Sequence, residues 1–233
     1  WLKHYDSGVP PSLAPYPNIL IQQLLEDSAR KHPDAPCTIF KGAVVTYKQM
    51  NDAADQIAAG LASLGVKKGD RVGIVMPNIP QFVMSFYGIL KAGGVVVAIN
   101  PTYPAAEMVT PLVDGEITVV LAMSKFYKTV REACAKSKVK TVVVTNVKEA
   151  LPPVLRFLFT LAKEKKEGHR VELHSGDVML ADLLAKFKPA DRPHVAVTPN
   201  DRALFQYSGG TTGTPKAAVA LHRNIVANSL QIK

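Results

Sequence analysis

The sequence predicts an α/β fold with a largely parallel sheet flanked by helices, and three observations carry that expectation. Short β-branched runs recur at 72–76 (VGIVM), 95–99 (VVVAI) and 141–144 (TVVV) without polar alternation, as in strands covered on both faces. Segments of helical period separate them. Finally, strand 71–76, helix 80–92 and strand 95–99 form a βαβ unit of the length a crossover connection requires.

Taken in order, Asn18 is a candidate cap for a helix running to about Lys31, with Leu24, Leu25, Ser28 and Ala29 inward. Cys37–Phe40 and Val44–Tyr47 flank Lys41-Gly42-Ala43 and predict a hairpin. Thr46 and Gln49 have capping-box spacing for a helix through Leu64, which Gly65 terminates. KKGD at 67–70 turns the chain into strand Arg71–Met76, and Gly93-Gly94 lead into strand Val95–Ile99. Pro111 is expected to kink or shorten the helix in AAEMVTPLVDGE. Further strands are expected at Ile117–Leu121, Thr141–Val144, Ala203–Tyr207 and Ala217–Leu221. Helices are expected near 126–136, 179–187 and Asn224–Ile232. Pro189, Pro193 and Pro199 punctuate the loop before the last strands.

Composition narrows the class. At 47% hydrophobic and 20% charged, the 233 residues are neither disordered nor fibrous. Cys37 and Cys134 lie outside any CxxC or Cys/His spacing, which argues against a disulfide scaffold or zinc centre. No metal-ligand set is assigned, and a reducing, cytoplasmic setting is expected. The net charge of +9 is uneven: residues 1–120 hold 9 basic and 10 acidic side chains, whereas 121–233 hold 19 and 9. A basic second half suits polyanionic small molecules, anionic membrane or nucleic acid. Val72–Leu90 is uncharged over 19 residues, but Pro77, Asn78, Pro80 and Gln81 break it into strand, turn and helix rather than a membrane span. The first 18 residues lack the apolar core of a signal peptide.

Chemistry concentrates in QYSGGTTGTPKAAVALHRN, residues 206–224. Eight of the nine residues of SGGTTGTPK are Gly, Ser, Thr or Pro, and the ninth is Lys216. Gly209, Gly210 and Gly213 allow backbone N–H groups to turn toward an anion. Ser208, Thr211, Thr212 and Thr214 add hydroxyl donors, and Lys216 adds a cation. This is phosphate-cradle chemistry. A Walker A loop would place Gly directly before Lys and continue as a helix; here Thr214 and Pro215 intervene and a strand is expected to follow. A plain Gly/Thr hairpin is the bland alternative.

Tyr207, the Gly-Thr-Thr-Gly core, Pro215 and Lys216, in register after a strand, resemble the phosphate-binding signature of the adenylate-forming superfamily. VTYKQMNDAADQIAAGL (45–61) and GVKKGDRVGIVMPNIPQFVMSFYGILKAGGVVVAINPTYP (65–104) are similar to further family segments. HYDSGVPPSLAPYPNI, KAGGVVVAINP and the doubled Gly209-Gly210 resemble the long-chain fatty acid–CoA ligase branch. Ala217 departs from the family's usual glycine.

The resemblance implies a two-step reaction. A fatty carboxylate attacks the α-phosphate of ATP, carried with Mg2+, to give acyl-adenylate and pyrophosphate; the thiol of coenzyme A then displaces AMP. Tyr207, Ser208, Gly209, Gly210, Thr211, Thr212, Gly213, Thr214, Pro215 and Lys216 are implied to hold ATP, with Lys216 and Thr211 stabilising charge as pyrophosphate departs. Family members are more than twice this length. Residues 1–233 are therefore expected to be an incomplete N-terminal domain, with 203–221 as strand–phosphate loop–strand. The C-terminal domain and main catalytic lysine would lie elsewhere, leaving the piece inactive alone. A start at Trp1 and a stop at Lys233 inside a predicted helix fit a piece.

Alternatives are an aryl-acid–CoA or acyl-carrier-protein ligase, or a non-catalytic basic module binding nucleic acid or membrane. Aromatics of only 7% and no RRM, KH or zinc spacing argue against nucleic acid. His222 reads as an anchor for the last helix, Asn100-Pro101 as a strand-ending turn, and Tyr207 either as a neighbour of the nucleotide or as the end of its strand. LPPVLRFLFTLAKEKKEGHR (151–170) has a wide apolar face ending in Lys163, Lys165, Lys166 and Arg170. That width favours packing on the domain or in a homodimer; the basic end favours peripheral contact with the inner face of a membrane.

Overall fold

In the computed structural model, residues 2–207 and 215–232 are described. Helix α1 (Ile21–Lys31) begins three residues after Asn18, because Gln23 Oε1 accepts the Leu20 N–H at 2.6 Å and supplies the cap expected of Asn18. Strands β1 (Pro36–Phe40) and β2 (Ala43–Thr46) form the expected hairpin, turning through Lys41 and Gly42 at φ 51° and 87°. Two consecutive positive φ angles match the right-handed strand twist. Helix α2 (Tyr47–Ser63) opens on the expected capping box: Thr46 Oγ1 accepts from Gln49 N at 3.2 Å, and Gln49 Oε1 accepts from Thr46 N at 2.9 Å. Leu64 and Gly65, the latter at φ 89°, end it.

The main sheet has seven strands. In chain order they are β3 (Arg71–Val75), β4 (Val95–Ala98), β5 (Val119–Met123), β6 (Thr141–Thr145), β7 (Val178–Met179), β8 (Arg202–Tyr207) and β9 (Ala217–Leu221). In space the order is β7-β6-β5-β3-β4-β8-β9, parallel throughout except that β9 runs against β8. Its helices are α3 (Pro80–Lys91), α4 (Ala105–Asp114), α5 (Tyr127–Cys134), α6 (Pro153–Ala162), α7 (Leu180–Lys186) and α8 (His222–Gln231).

Both faces of the sheet are covered. Val72, Ile74, Val96, Leu121 and Val143 point into one core with Ile57, Leu61, Ile89, Leu90 and Leu183. Val75, Val97, Val120, Ala122 and Val144 point into the other with Met108, Leu112, Val130 and Cys134 of α4 and α5. Each fully buried aliphatic side chain contributes about 1.5–3 kcal/mol, so these central strands outweigh the half-exposed β1–β2 hairpin in stability. Burial on both faces explains the unbroken β-branched runs, and the fold is the α/β class expected.

Three further departures from the sequence expectation have a clear local cause. Strand β5 starts at Val119 rather than Ile117, because Ile117 N–H donates to Leu112 O at 3.0 Å and stays in the turn closing α4. Helix α4 continues through Pro111. The bond that Pro111 cannot donate would reach Glu107, an exposed residue, and Pro111 O still accepts from Gly115 N at 3.1 Å. Helix α8 begins at His222 rather than Asn224, whose Oδ1 caps Leu221 N at 2.9 Å.

Where α1, α2 and α3 meet, an ion cluster gathers around the buried Lys91. Lys91 Nζ lies 2.8 Å from Asp55 Oδ1, 2.7 Å from Asn51 Oδ1 and 3.7 Å from Glu26 Oε1, and Arg192 bridges the same two carboxylates. Burial pushes the Lys91 amine below its ordinary range, against the pull of Asp55.

Candidate functional site

Strands β3, β4, β5, β6 and β8 run parallel, so their carboxyl ends share one edge of the sheet, the edge where α/β proteins bind ligands. The Gly/Thr-rich segment leaves this edge directly from β8. Strand β9 returns antiparallel with Tyr207 opposite Ala217, so the nine residues 208–216 are closed at their base by a strand pair. A strand, not a helix, follows Lys216, and this excludes the strand–loop–helix arrangement of a Walker A site.

The structure places the expected residues as follows. Tyr207 is the last residue of β8, partly buried against the α4–α5 core, and its hydroxyl donates to Asp114 Oδ2 at the end of α4. Burial first, and then this bond, push the phenol well above its ordinary range, so it remains a neutral donor. Pro215 is half-buried, and Lys216 is exposed just before β9. Ser208, Gly209, Gly210, Thr211, Thr212, Gly213 and Thr214 lie outside the described residues. Asp114 is the partner that sequence reasoning missed. It stands 93 positions from Tyr207, and no local signal links the two.

The other residues that the sequence singles out are structural. Asn100 Oδ1 accepts from Thr102 N at 3.0 Å and Thr102 Oγ1 at 2.8 Å, which makes the expected strand-ending turn. His222, 1% exposed, accepts at Nδ1 from Ile21 N at 3.5 Å and so ties α8 to the start of α1. Burial pushes its imidazole down to about 4, and Asp201 only partly opposes that. Cys37 and Cys134 are free thiols, and burial raises the latter to about 11, far from a reactive thiolate. Among the described residues no group of three or more His, Cys, Asp or Glu side chains is placed to hold a metal. A cleft of about 690 Å³ beside Asp55 and Arg192 is lined by none of the expected site residues.

In the comparison to known families, residues 25–233 match the model described as AMP-binding enzyme. The chain belongs to the AMP-binding enzyme family. Similar proteins include a long-chain-fatty-acid–CoA ligase of Bacillus subtilis, 34% identical over 98% of this chain and 41% of its own length. The ligase of the same description from Salmonella typhimurium is 31% identical over the whole chain and 42% of its own. The solved long-chain-fatty-acid–CoA ligase of Archaeoglobus fulgidus superposes with a TM-score of 0.76 at 27% identity, covering 98% of this chain and 41% of that one. This family member thus spans about two fifths of the length of the curated relatives it matches.

Proposed function

We propose that this chain is the ATP-binding portion of a long-chain fatty acid–CoA ligase. The observation that carries the reading is the 34% identity to such a ligase across 98% of the chain. It is supported by a donor-rich loop springing from the carboxyl edge of a parallel sheet. In this reading a fatty carboxylate, already ionised near neutral pH, attacks the α-phosphate of Mg-bound ATP without a dedicated base. Rate is then gained by alignment and by stabilising charge on departing pyrophosphate. Backbone N–H groups of Gly209, Gly210 and Gly213 and the hydroxyls of Ser208, Thr211, Thr212 and Thr214 serve that charge, with Lys216 as the cation. Tyr207 fixes the strut from which the loop departs by its bond to Asp114. Coenzyme A enters in the second step.

Lys216→Ala in the intact ligase is expected to slow acid-dependent pyrophosphate exchange roughly ten- to a thousandfold, the range for one lost charge-stabilising donor. An unchanged exchange rate rejects the role given to Lys216. A panel of fatty, aryl and carrier-protein substrates on the same enzyme separates the long-chain reading from its relatives.

A further inference from the structure

Helix α6 is built inside out. Of its ten residues, none is buried. Val154, Phe157, Leu158 and Leu161 are 71%, 64%, 53% and 70% exposed and follow one another at spacings of three, one and three, which places them along one face. The polar side chain is the one that bends back: Arg156 Nε and Nη2 donate to Lys148 O and Glu149 O at 3.0 and 2.9 Å. Of the aromatic residues, Phe159 alone turns inward, its ring 5.3 Å from that of His169. The packing on the domain that the apolar face suggested is therefore absent within the described residues, and the face points outward.

The helix is nonetheless firmly held. Just beyond it Glu164, 5% exposed, accepts from Lys148 Nζ at 2.6 Å and Asn146 Nδ2 at 3.0 Å, and His169 Nδ1 lies 2.9 Å from Ser124 Oγ. A buried polar latch thus fixes an outward apolar ridge, and the turn that follows presents Lys163, Lys165, Lys166 and Arg170 to solvent. Against these four cations the segment exposes a single carboxylate, Glu167, 3.7 Å from Lys163.

We propose that α6 and the turn after it dock on an anionic lipid bilayer, with Val154, Phe157, Leu158 and Leu161 entering the interface and Lys163, Lys165, Lys166 and Arg170 meeting the headgroups. An apolar ridge with flanking cations is the combination that binds such surfaces. A second copy of the chain would bring the same four cations and, in this segment, only Glu167 to answer them. The docking helix follows β6 at the carboxyl edge of the sheet. That is the edge from which the 208–216 segment departs, four strand spacings or about 19 Å away. The proposal needs only α6 and its turn, and stands whether or not the ligase reading holds.

The test is flotation of the 233-residue chain with vesicles of phosphatidylcholine containing phosphatidylglycerol, against phosphatidylcholine alone. The chain should float with the anionic vesicles and be released by salt. Changing Lys163, Lys165 and Lys166 to Glu should weaken binding at least about tenfold, given the contribution of each cation. Phe157→Asp with Leu161→Asp should abolish flotation while leaving the far-UV circular dichroism unchanged. Leu158→Trp in a Trp1→Phe background gives a second readout: its emission should shift to the blue on anionic vesicles. Absence of flotation at low salt overturns the proposal, as does flotation indifferent to the Phe157/Leu161 pair or an unshifted emission from the Leu158→Trp variant. Self-association without lipid that the same pair removes places a second copy on the ridge and overturns it too.

Discussion

Replacing Gly88 by alanine probes the closest approach between α2 and α3. A Cβ built there lies 2.5 Å from Ile57 Cγ2 and 2.7 Å from Ile57 Cβ, with Ala54 O at 3.2 Å. Carbon atoms in contact sit about 3.5–4.0 Å apart, so the helices must separate by about 1 Å. Rotation of Ile57 cannot relieve the clash, since its Cβ is fixed to the backbone, and the residue is 0% exposed with no outward escape. Overpacking by one methyl costs about 1–3 kcal/mol, occasionally more. The better helix propensity of alanine returns about 1 kcal/mol. With contacts this short the upper part of the range applies, and a net loss of about 2 kcal/mol is expected. Urea unfolding followed by circular dichroism measures it, alongside Ile57→Ala and the double variant. Ile57→Ala alone should cost about 2–5 kcal/mol. Because it deletes the clashing Cγ2, the double variant should lose at least about 1 kcal/mol less than the two singles together. A midpoint for Gly88→Ala equal to or above that of the parent refutes the close crossing.

Two further perturbations test buried ionisable groups. Burial lowers the His222 imidazole from 6.5 to about 4, so between those values the unfolded chain binds a proton that the folded chain refuses. Stability should therefore fall as pH drops from 6.5 towards 4, by at most roughly 3 kcal/mol, and be indifferent to this group above 6.5. His222→Gln should flatten that slope in urea midpoints, and a slope it leaves intact would assign the acid lability to other groups. Lys91→Ala should destabilise by about 3–5 kcal/mol, because it strips a buried cation from Asp55 and Glu26. A loss under about 1 kcal/mol would mean that Arg192 alone compensates the two carboxylates.

Much of the fold was legible because its signals are local. The Thr46–Gln49 box, Pro80 opening α3, the paired glycines before β4 and the two-face β-branched runs each fix an element within a few residues. What escaped the sequence depends on which of several possible partners a group takes, near or far. The cap of α1 passed from Asn18 to Gln23, and Ile117 was drawn out of its strand by the carbonyl of Leu112. At the site, the two strands that flank 208–216 could be read from residue types alone. The Tyr207–Asp114 bond could not, since only the stacking of α4 against β8 brings those residues together. The outward direction of the α6 face was not legible for a related reason. An apolar stripe states that a helix seeks a partner but not where that partner lies, and the latch that turns α6 outward is built from Ser124, Asn146, Glu164 and His169.

The placement of β8 beside β4 bears on how the protein emerges from the ribosome. Val96 pairs with Leu204 and Val97 with Phe205, partners more than a hundred positions apart. At about 5–20 residues per second of synthesis, β4 waits roughly 5–20 s for its neighbour, its apolar edge open to other chains throughout. The frame of the Gly/Thr segment therefore closes only after β3 to β7 have been synthesised. Conditions that slow synthesis of residues 100–200 should raise aggregation of the nascent chain before they affect the finished protein.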